Sequence, residues 1–208
     1  MIVVIDYGMG NLGSIANMIK KVGHKSVITS DLEEIKNASK LILPGVGSFD
    51  NGMRNLAELG MIEVLNQKVL VEKTPILGIC LGMQLMTKSS EEGNLAGLGW
   101  MDANTKKFVS DTLKIPHMGW NIINHQKNSK LFDEMESEKR FYFVHSYCVS
   151  CTYSEDVLTT TPYTHDFISA FERENIIGAQ FHPEKSHKFG MSLIKNFQNI
   201  YRSILQLL

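Results

Sequence analysis

The hydrophobic pattern of the first half switches repeatedly between two periods. Ile2 to Ile5 is a short apolar run of the kind shown by a parallel strand buried on both faces. A glycine-rich turn follows, then a helical stretch from about Leu12 to Val22 that Gly23 stops at its C′ position. Val27 to Thr29 reads as a second strand. Ser30-Asp31-Leu32-Glu33 has the Ser-x-x-Glu spacing of a capping box and opens a helix to about Asn37. Leu41 to Leu43 is a third strand, ended by Pro44-Gly45. Two amphipathic pieces, about Asn51 to Leu59 and Met61 to Glu72, lead to Pro75 and the strand Ile76 to Ile79. This alternation predicts a doubly wound parallel α/β sheet.

The second half is richer in strand signals: Phe141 to Val144, Phe167 to Phe171 and Ile176 to Phe181. A terminal helix carries Leu193, Ile194, Phe197, Ile200, Tyr201, Ile204, Leu205 and Leu208 at the three-and-four spacing of one buried face. No repeat or long linker interrupts the 208 residues, so one domain spanning 1–208 is expected.

Composition narrows the function classes. Lys plus Arg is 21 and Asp plus Glu is 22, a formal charge of -1. Such a balance supplies no basic field for a phosphate backbone and argues against nucleic acid as a partner. A membrane span needs ~20 consecutive apolar residues, and nothing approaches that. The N-terminus lacks the basic segment and apolar core of a signal peptide. Three cysteines, Cys80, Cys148 and Cys151, do not make a disulfide framework. A cytoplasmic protein is expected.

The strongest chemical signal is Gly78-Ile79-Cys80-Leu81-Gly82, with a buried strand running in and a helix-forming stretch, Met83 to Met86, running out. The glycines allow a sharp turn that presents the side chain above the sheet, the nucleophile-elbow geometry with sulfur as the nucleophile. A helix N-terminus beside the sulfur favours thiolate, and the Leu81 amide is placed to meet an oxyanion. A lone cysteine is more often a small buried hydrophobe; the flanking glycines outweigh that reading. A thiolate needs a base and the base an orienter. His182 and Glu184, in Gly178-Ala179-Gln180-Phe181-His182-Pro183-Glu184, combine a strand end, a rigid turn and a nearby carboxylate. In an open α/β sheet, sites form at the carboxyl ends of strands, where Cys80 and His182 both fall.

Three other motifs compete. Gly8-Met9-Gly10-Asn11-Leu12-Gly13 is a literal G-x-G-x-x-G, the basis for an NAD-dependent oxidoreductase. Asp6 at the strand end would repel a pyrophosphate, however, and Asp31 is explained locally as a first-turn acid behind Ser30. Cys148-Val149-Ser150-Cys151 lacks both a thioredoxin setting and a second ligand pair for zinc, so no metal is expected. Leu43-Pro44-Gly45-Val46-Gly47-Ser48-Phe49 serves either as a backbone donor strand facing Cys80 or as a plain turn, and periodicity does not separate the two.

Taken together, G-I-C-L-G-M-Q (78–84) and Q-F-H-P-E-K-S (180–186) resemble the triad motifs of class I glutamine amidotransferases. I-D-Y-G-M-G-N (5–11), L-P-G-V-G-S-F (43–49), P-H-M-G-W-N (116–121) and F-V-H-S-Y (143–147) extend the likeness, in order, across nearly the whole chain. Within the family it is most similar to the glutaminase subunits of imidazole glycerol phosphate synthase. The resemblance implies a flavodoxin-like, mixed but mainly parallel sheet with a small additional β region. It implies Cys80 as nucleophile, His182 as proton carrier and Glu184 as its orienter. Backbone amides of Leu81 and of Gly45, Val46 and Gly47 would receive the oxyanion, and Gln84, Glu92, Ser146 and Tyr147 would grip glutamine.

Asn11, Trp120, Tyr142 and Lys185 would face a (β/α)₈ cyclase subunit that uses the ammonia, and no cofactor is implied. The glycine pair would let the 45–47 strand stay misaligned until the partner's nucleotide substrate binds. Leu98 to Ala103 and His187 to Gly190 look closer to a paralogous branch that supplies ammonia for amidino sugars of surface polysaccharides.

Overall fold

The alternating first half folds as its pattern requires. The computed structural model describes residues 1–135 and 138–200. In order come β1 (Ile2–Ile5), α1 (Leu12–Lys21), β2 (Ser26–Thr29), α2 (Leu32–Lys36), β3 (Lys40–Leu43), α3 (Phe49–Glu58) and α4 (Met61–Asn66). A π-helical turn, Gln67–Val71, carries α4 on to β4 (Ile76–Ile79) and α5 (Leu81–Leu85). The second half holds β5 (Ala103–Lys107), β6 (His117–Ile122), β7 (Asn124–His125), β8 (Arg140–His145) and β9 (Tyr147–Cys151). β10 (Val157–Pro162), β11 (Asp166–Arg173), β12 (Ile176–Ala179), a 3-10 turn at Pro183–Lys185 and α6 (His187–Asn199) complete it.

Side-chain alternation within the strands decides the layers. Val3, Ile5, Leu41, Leu43 and Ile76 pack with Ile35, Leu56, Leu65 and Leu85 on one side of the sheet. Ile2, Val4, Ile42, Leu77 and Ile79 pack with Ile15, Ile19, Leu193 and Phe197 on the other. Strands covered on both faces need apolar residues at every position, which is why β1, β3 and β4 read as continuous runs. The sheet order is β2-β1-β3-β4-β12, all parallel, continued by antiparallel β11, β10 and β7, with β9 branching off β11 and β5 pairing β9. β6 and β8 form a separate two-stranded antiparallel sheet. The doubly wound parallel core and the extra β region are as expected.

Two local expectations change, and a third runs past the described residues. Asp31, not Ser30, caps α2: its Oδ1 accepts from Glu33 N at 2.7 Å and Glu34 N at 3.1 Å. A carboxylate one residue later serves the orphan amides of a helix start shifted by one and also suits the positive helix end. The helix after the elbow begins at Leu81 rather than Met83 and is only five residues long. Finally, α6 ends at Asn199; the spacing expected at Tyr201, Ile204, Leu205 and Leu208 lies outside the described residues. The buried Lys40 ammonium donates to the carbonyls of Phe197 and Gln198, at 2.9 and 2.6 Å, and to that of Ile200, complementing the negative end of α6. Among the described residues no helix is long and apolar enough to cross a membrane.

Candidate active site

Three neighbouring strands, β3, β4 and β12, end on one edge of the sheet, and the chain after each contributes one wall of the site. After β4, Cys80 takes φ +53° and ψ -109°, a strained conformation for a residue with a β-carbon. Its amide still donates to Ala179 O at 2.8 Å, while its carbonyl already accepts from Gln84 N at 3.2 Å. Cys80 is therefore both the last rung of the sheet and the cap of α5, which fixes the sulfur at the strand-to-helix corner.

Glycines let the wall after β3 come close. A β-carbon at Gly45 would lie 2.5 Å from Tyr7 Oη and 2.8 Å from Leu81 Cβ, and one at Gly82 would lie 1.8 Å from Leu43 O. The Pro44-Gly45-Val46-Gly47 backbone thus lies directly against the elbow. Buried Tyr7 pins it by donating its hydroxyl to Pro44 O at 2.6 Å. Burial, helped by the Cys80 charge, raises the Tyr7 pKa so far that the phenol remains a donor. The Gly8–Gly13 loop packs onto the same strand, since a β-carbon at Gly10 would touch Pro44 and one at Gly47 would strike the end of Met9. The oxidoreductase reading required that loop to cradle a pyrophosphate; here it supports the wall of another site.

After β12, His182 Nδ1 meets Glu184 Oε1 at 2.8 Å, with both side chains almost fully buried. The carboxylate accepts, so Nδ1 carries the hydrogen and Nε2 is the nitrogen free to exchange a proton. Nε2 is buried without a hydrogen-bond partner among the described residues. Burial works to lower the His182 pKa, but the Cys80 sulfur and the Glu184 carboxylate outweigh it and push the imidazole up to about 9. A buried imidazole held cationic beside a cysteine sulfur and oriented by a carboxylate is equipped to exchange protons during attack by that sulfur.

A cavity of about 340 Å³ opens over Cys80 and His182, at the small end of ligand pockets. Its walls include all four expected substrate contacts, Gln84, Glu92, Ser146 and Tyr147, together with Leu81, Val46 and Gly47. Glu92 Oε2 is held by Phe49 N at 2.8 Å, at the start of α3. Pro116, Val144 and His145 also line it and were not singled out from the sequence. A larger cleft of about 750 Å³ lies at the opposite ends of the strands, beside Met1, Pro75 and Asn175, and contains none of these groups. Cys148 and Cys151 sit in β9 with thiols that burial pushes up to about 11 and about 12, the inert character expected of them.

Three of the four expected partner-facing residues lie together in one patch. Trp120 and Tyr142 are opposite one another in the β6–β8 pair, rings 6.3 Å apart, and Lys185 Nζ lies 5.7 Å from the Tyr142 ring. Asn11 precedes α1, whose Ser14 and Asn17 line a cleft with Lys185 and His187. His187 stacks on Trp120 at 5.5 Å.

The glutamine amidotransferase class-I family profile matches residues 3–200. The chain belongs to that family. This amidotransferase is 60% identical, over 95% of its length and 98% of the relative's, to imidazole glycerol phosphate synthase subunit HisH 2 of Methanococcus maripaludis. It is 48% identical, over the same shares, to subunit HisH 2 of Pseudomonas aeruginosa. The amidotransferase fold is shared with PurLQS of Thermotoga maritima, at TM-score 0.74 and 16% identity over 96% of this chain and 97% of that one. The glutaminase domain of Trypanosoma brucei CTPS gives TM-score 0.64 at 15% identity over 95% and 93%.

Proposed function

We propose that the chain is the glutaminase subunit of an imidazole glycerol phosphate synthase, releasing ammonia from glutamine for a cyclase partner in histidine biosynthesis. The observation that carries the chemistry is the strained Cys80 corner facing the His182–Glu184 pair across one small cavity. The 60% identity to a HisH subunit supports the pathway.

In this reading the Cys80 thiolate attacks the side-chain amide carbon of glutamine. The resulting oxyanion is received by the Leu81 amide and the Gly45, Val46 and Gly47 strand. As the C–N bond breaks, His182 gives its Nε2 proton to the departing ammonia and leaves a γ-glutamyl thioester. Water then adds to the thioester carbon with His182 as base, and glutamate departs as the thiolate re-forms. Glu184 keeps the imidazole in the tautomer both steps need. Gln84, Glu92, Ser146 and Tyr147 hold the amino-acid end. Ammonia entering bulk water at neutral pH is protonated and loses its nucleophilicity, so the acceptor enzyme must cover the exit. The patch of Trp120, Tyr142 and Lys185, with Asn11 beside it, is where a (β/α)₈ cyclase docks.

The test is glutamate release by the purified chain, alone and with such a cyclase and its nucleotide substrate. Stimulation of at least tenfold is expected, because the glycine-flanked 45–47 strand would align only in the loaded complex. A basal rate that a demonstrably bound cyclase cannot raise would overturn the pathway and leave a glutaminase serving another acceptor, such as one that builds amidino sugars.

A further inference from the structure

Gln180 is a fully buried amide at the end of an apolar strand, two residues ahead of His182. Its Nε2 donates to Cys80 Sγ at 3.6 Å, within reach for sulfur. Its Oε1 accepts from Gln84 Nε2 at 3.0 Å, and that nitrogen also donates to Tyr147 O at 3.3 Å. The same carbonyl lies 2.7 Å from His145 Nδ1, and His145 Nε2 lies 3.0 Å from His117 Nδ1. Asn121 Nδ2 closes the series, 3.3 Å from His117 Nε2, while also donating to Pro162 O at 2.8 Å.

The direction of every hydrogen in this series is determined. A carbonyl only accepts, so His145 Nδ1 carries a hydrogen. Neutral His145 then accepts at Nε2, which makes His117 Nδ1 a donor and His117 Nε2 the acceptor for Asn121. Burial keeps both rings neutral, holding His117 down to about 4 and His145 to about 3. At the other end, both hydrogens of the Gln84 amide are engaged. Gln180 must therefore turn its oxygen toward Gln84 and its N–H groups toward sulfur. The opposite orientation would set two N–H groups against each other and aim a lone pair at the thiolate.

We propose that Gln180 is a positioning residue that orients and stabilises the Cys80 thiolate, held in its working orientation by His117 and His145 through Tyr147 and Gln84. This rests on the reading of Cys80 as nucleophile. Hydrogen bonds to the charged form favour it, so removing the donor disfavours the thiolate.

The test measures two quantities on each variant: iodoacetamide alkylation of Cys80 against pH, and the kinetics of glutamate release. Gln180→Glu keeps the shape and the acceptor for Gln84 but places a carboxylate at the sulfur. Its half-maximal alkylation should move up by about one pH unit or more. Its kcat should fall on the order of 10²-fold, with KM within about threefold. Gln180→Leu should shift the profile in the same direction by less. His117→Ala should lower kcat on the order of tenfold, and His117→Asn, which places an N–H where Nδ1 was, should recover most of it. Folding of each variant is checked by circular dichroism, and the histidine pair tests the series should Gln180→Leu fail to fold. Unshifted alkylation in Gln180→Glu, or equal loss in His117→Ala and His117→Asn, would overturn the proposal. A wild-type chain that alkylates but releases no glutamate even with the loaded cyclase bound would instead overturn the glutaminase reading, while the alkylation profiles still decide the role of Gln180.

Discussion

His182 and His145 line the same cavity, and both are almost fully buried, yet they are driven to opposite charge states. His182 is pushed up to about 9 and His145 down to about 3. Burial favours the neutral ring in both. At His182 the sulfur and the Glu184 carboxylate reverse that default. At His145 the facing groups are a carbonyl and a second imidazole, which leave it standing. A histidine at an active site is thus understood from what faces its two nitrogens, and exposure alone predicts neither role.

Removing the cationic member should have the largest effect. His182→Asn is expected to lower glutamate release on the order of 10³-fold or more, with the fold retained; steady-state assay and circular dichroism check both. Next, Glu184→Gln should make His182 more like His145. Its imidazole should titrate well below about 9 in an NMR pH series, and kcat should fall on the order of 10²-fold. Retention of the high titration would mean that the sulfur alone sustains the charge.

Stability against pH sharpens the comparison because the two sites carry opposite signs. The folded pKa values of His117 and His145 are depressed, so the unfolded chain takes up protons that the folded chain refuses as pH falls from about 6.5 toward 4. Each ring then costs up to about 1.4 kcal/mol of stability per pH unit. His182 has a raised folded pKa, so its contribution is full below about 6.5 and disappears as pH rises through about 9. Urea denaturation from pH 4 to 10, on wild type, His145→Gln and His182→Asn, separates the acid and alkaline limbs. The smallest effect belongs to a histidine with neither environment. His187→Ala, at an exposed ring stacked on Trp120, should leave glutamate release by the free chain within about twofold.

The same contrast explains what the sequence made legible. The juxtaposition of Cys80 with His182 and Glu184 was visible because its turns are written in glycine and proline: Gly78 and Gly82 around Cys80, Pro183 between His182 and Glu184. The parallel strands were visible because burial on both faces demands unbroken apolar runs. β5, β6 and β9 were not, since Ala-Asn-Thr-Lys-Lys, His-Met-Gly-Trp-Asn-Ile and Tyr-Cys-Val-Ser-Cys mix polar and apolar residues on half-exposed strands. The His117–His145 contact depends on the cross-strand register of β6 and β8, which no local pattern encodes. Gln180 left one usable signal, a lone amide inside an apolar strand, where a buried polar group needs partners.

Ile76 pairs with Ile176, so β12 is inserted in mid-sheet a hundred residues after the strand it joins. During synthesis β4 is a bare apolar edge, a template for pairing with other chains, for on the order of ten seconds at ordinary elongation rates. The amide row of β4 finds its second neighbour only when Ile176 to Ala179 have emerged. The same late strand delivers His182 to Cys80, so a ribosome-bound fragment that ends before it holds the thiol without the imidazole. Ammonia release can begin only after β12 has covered this edge.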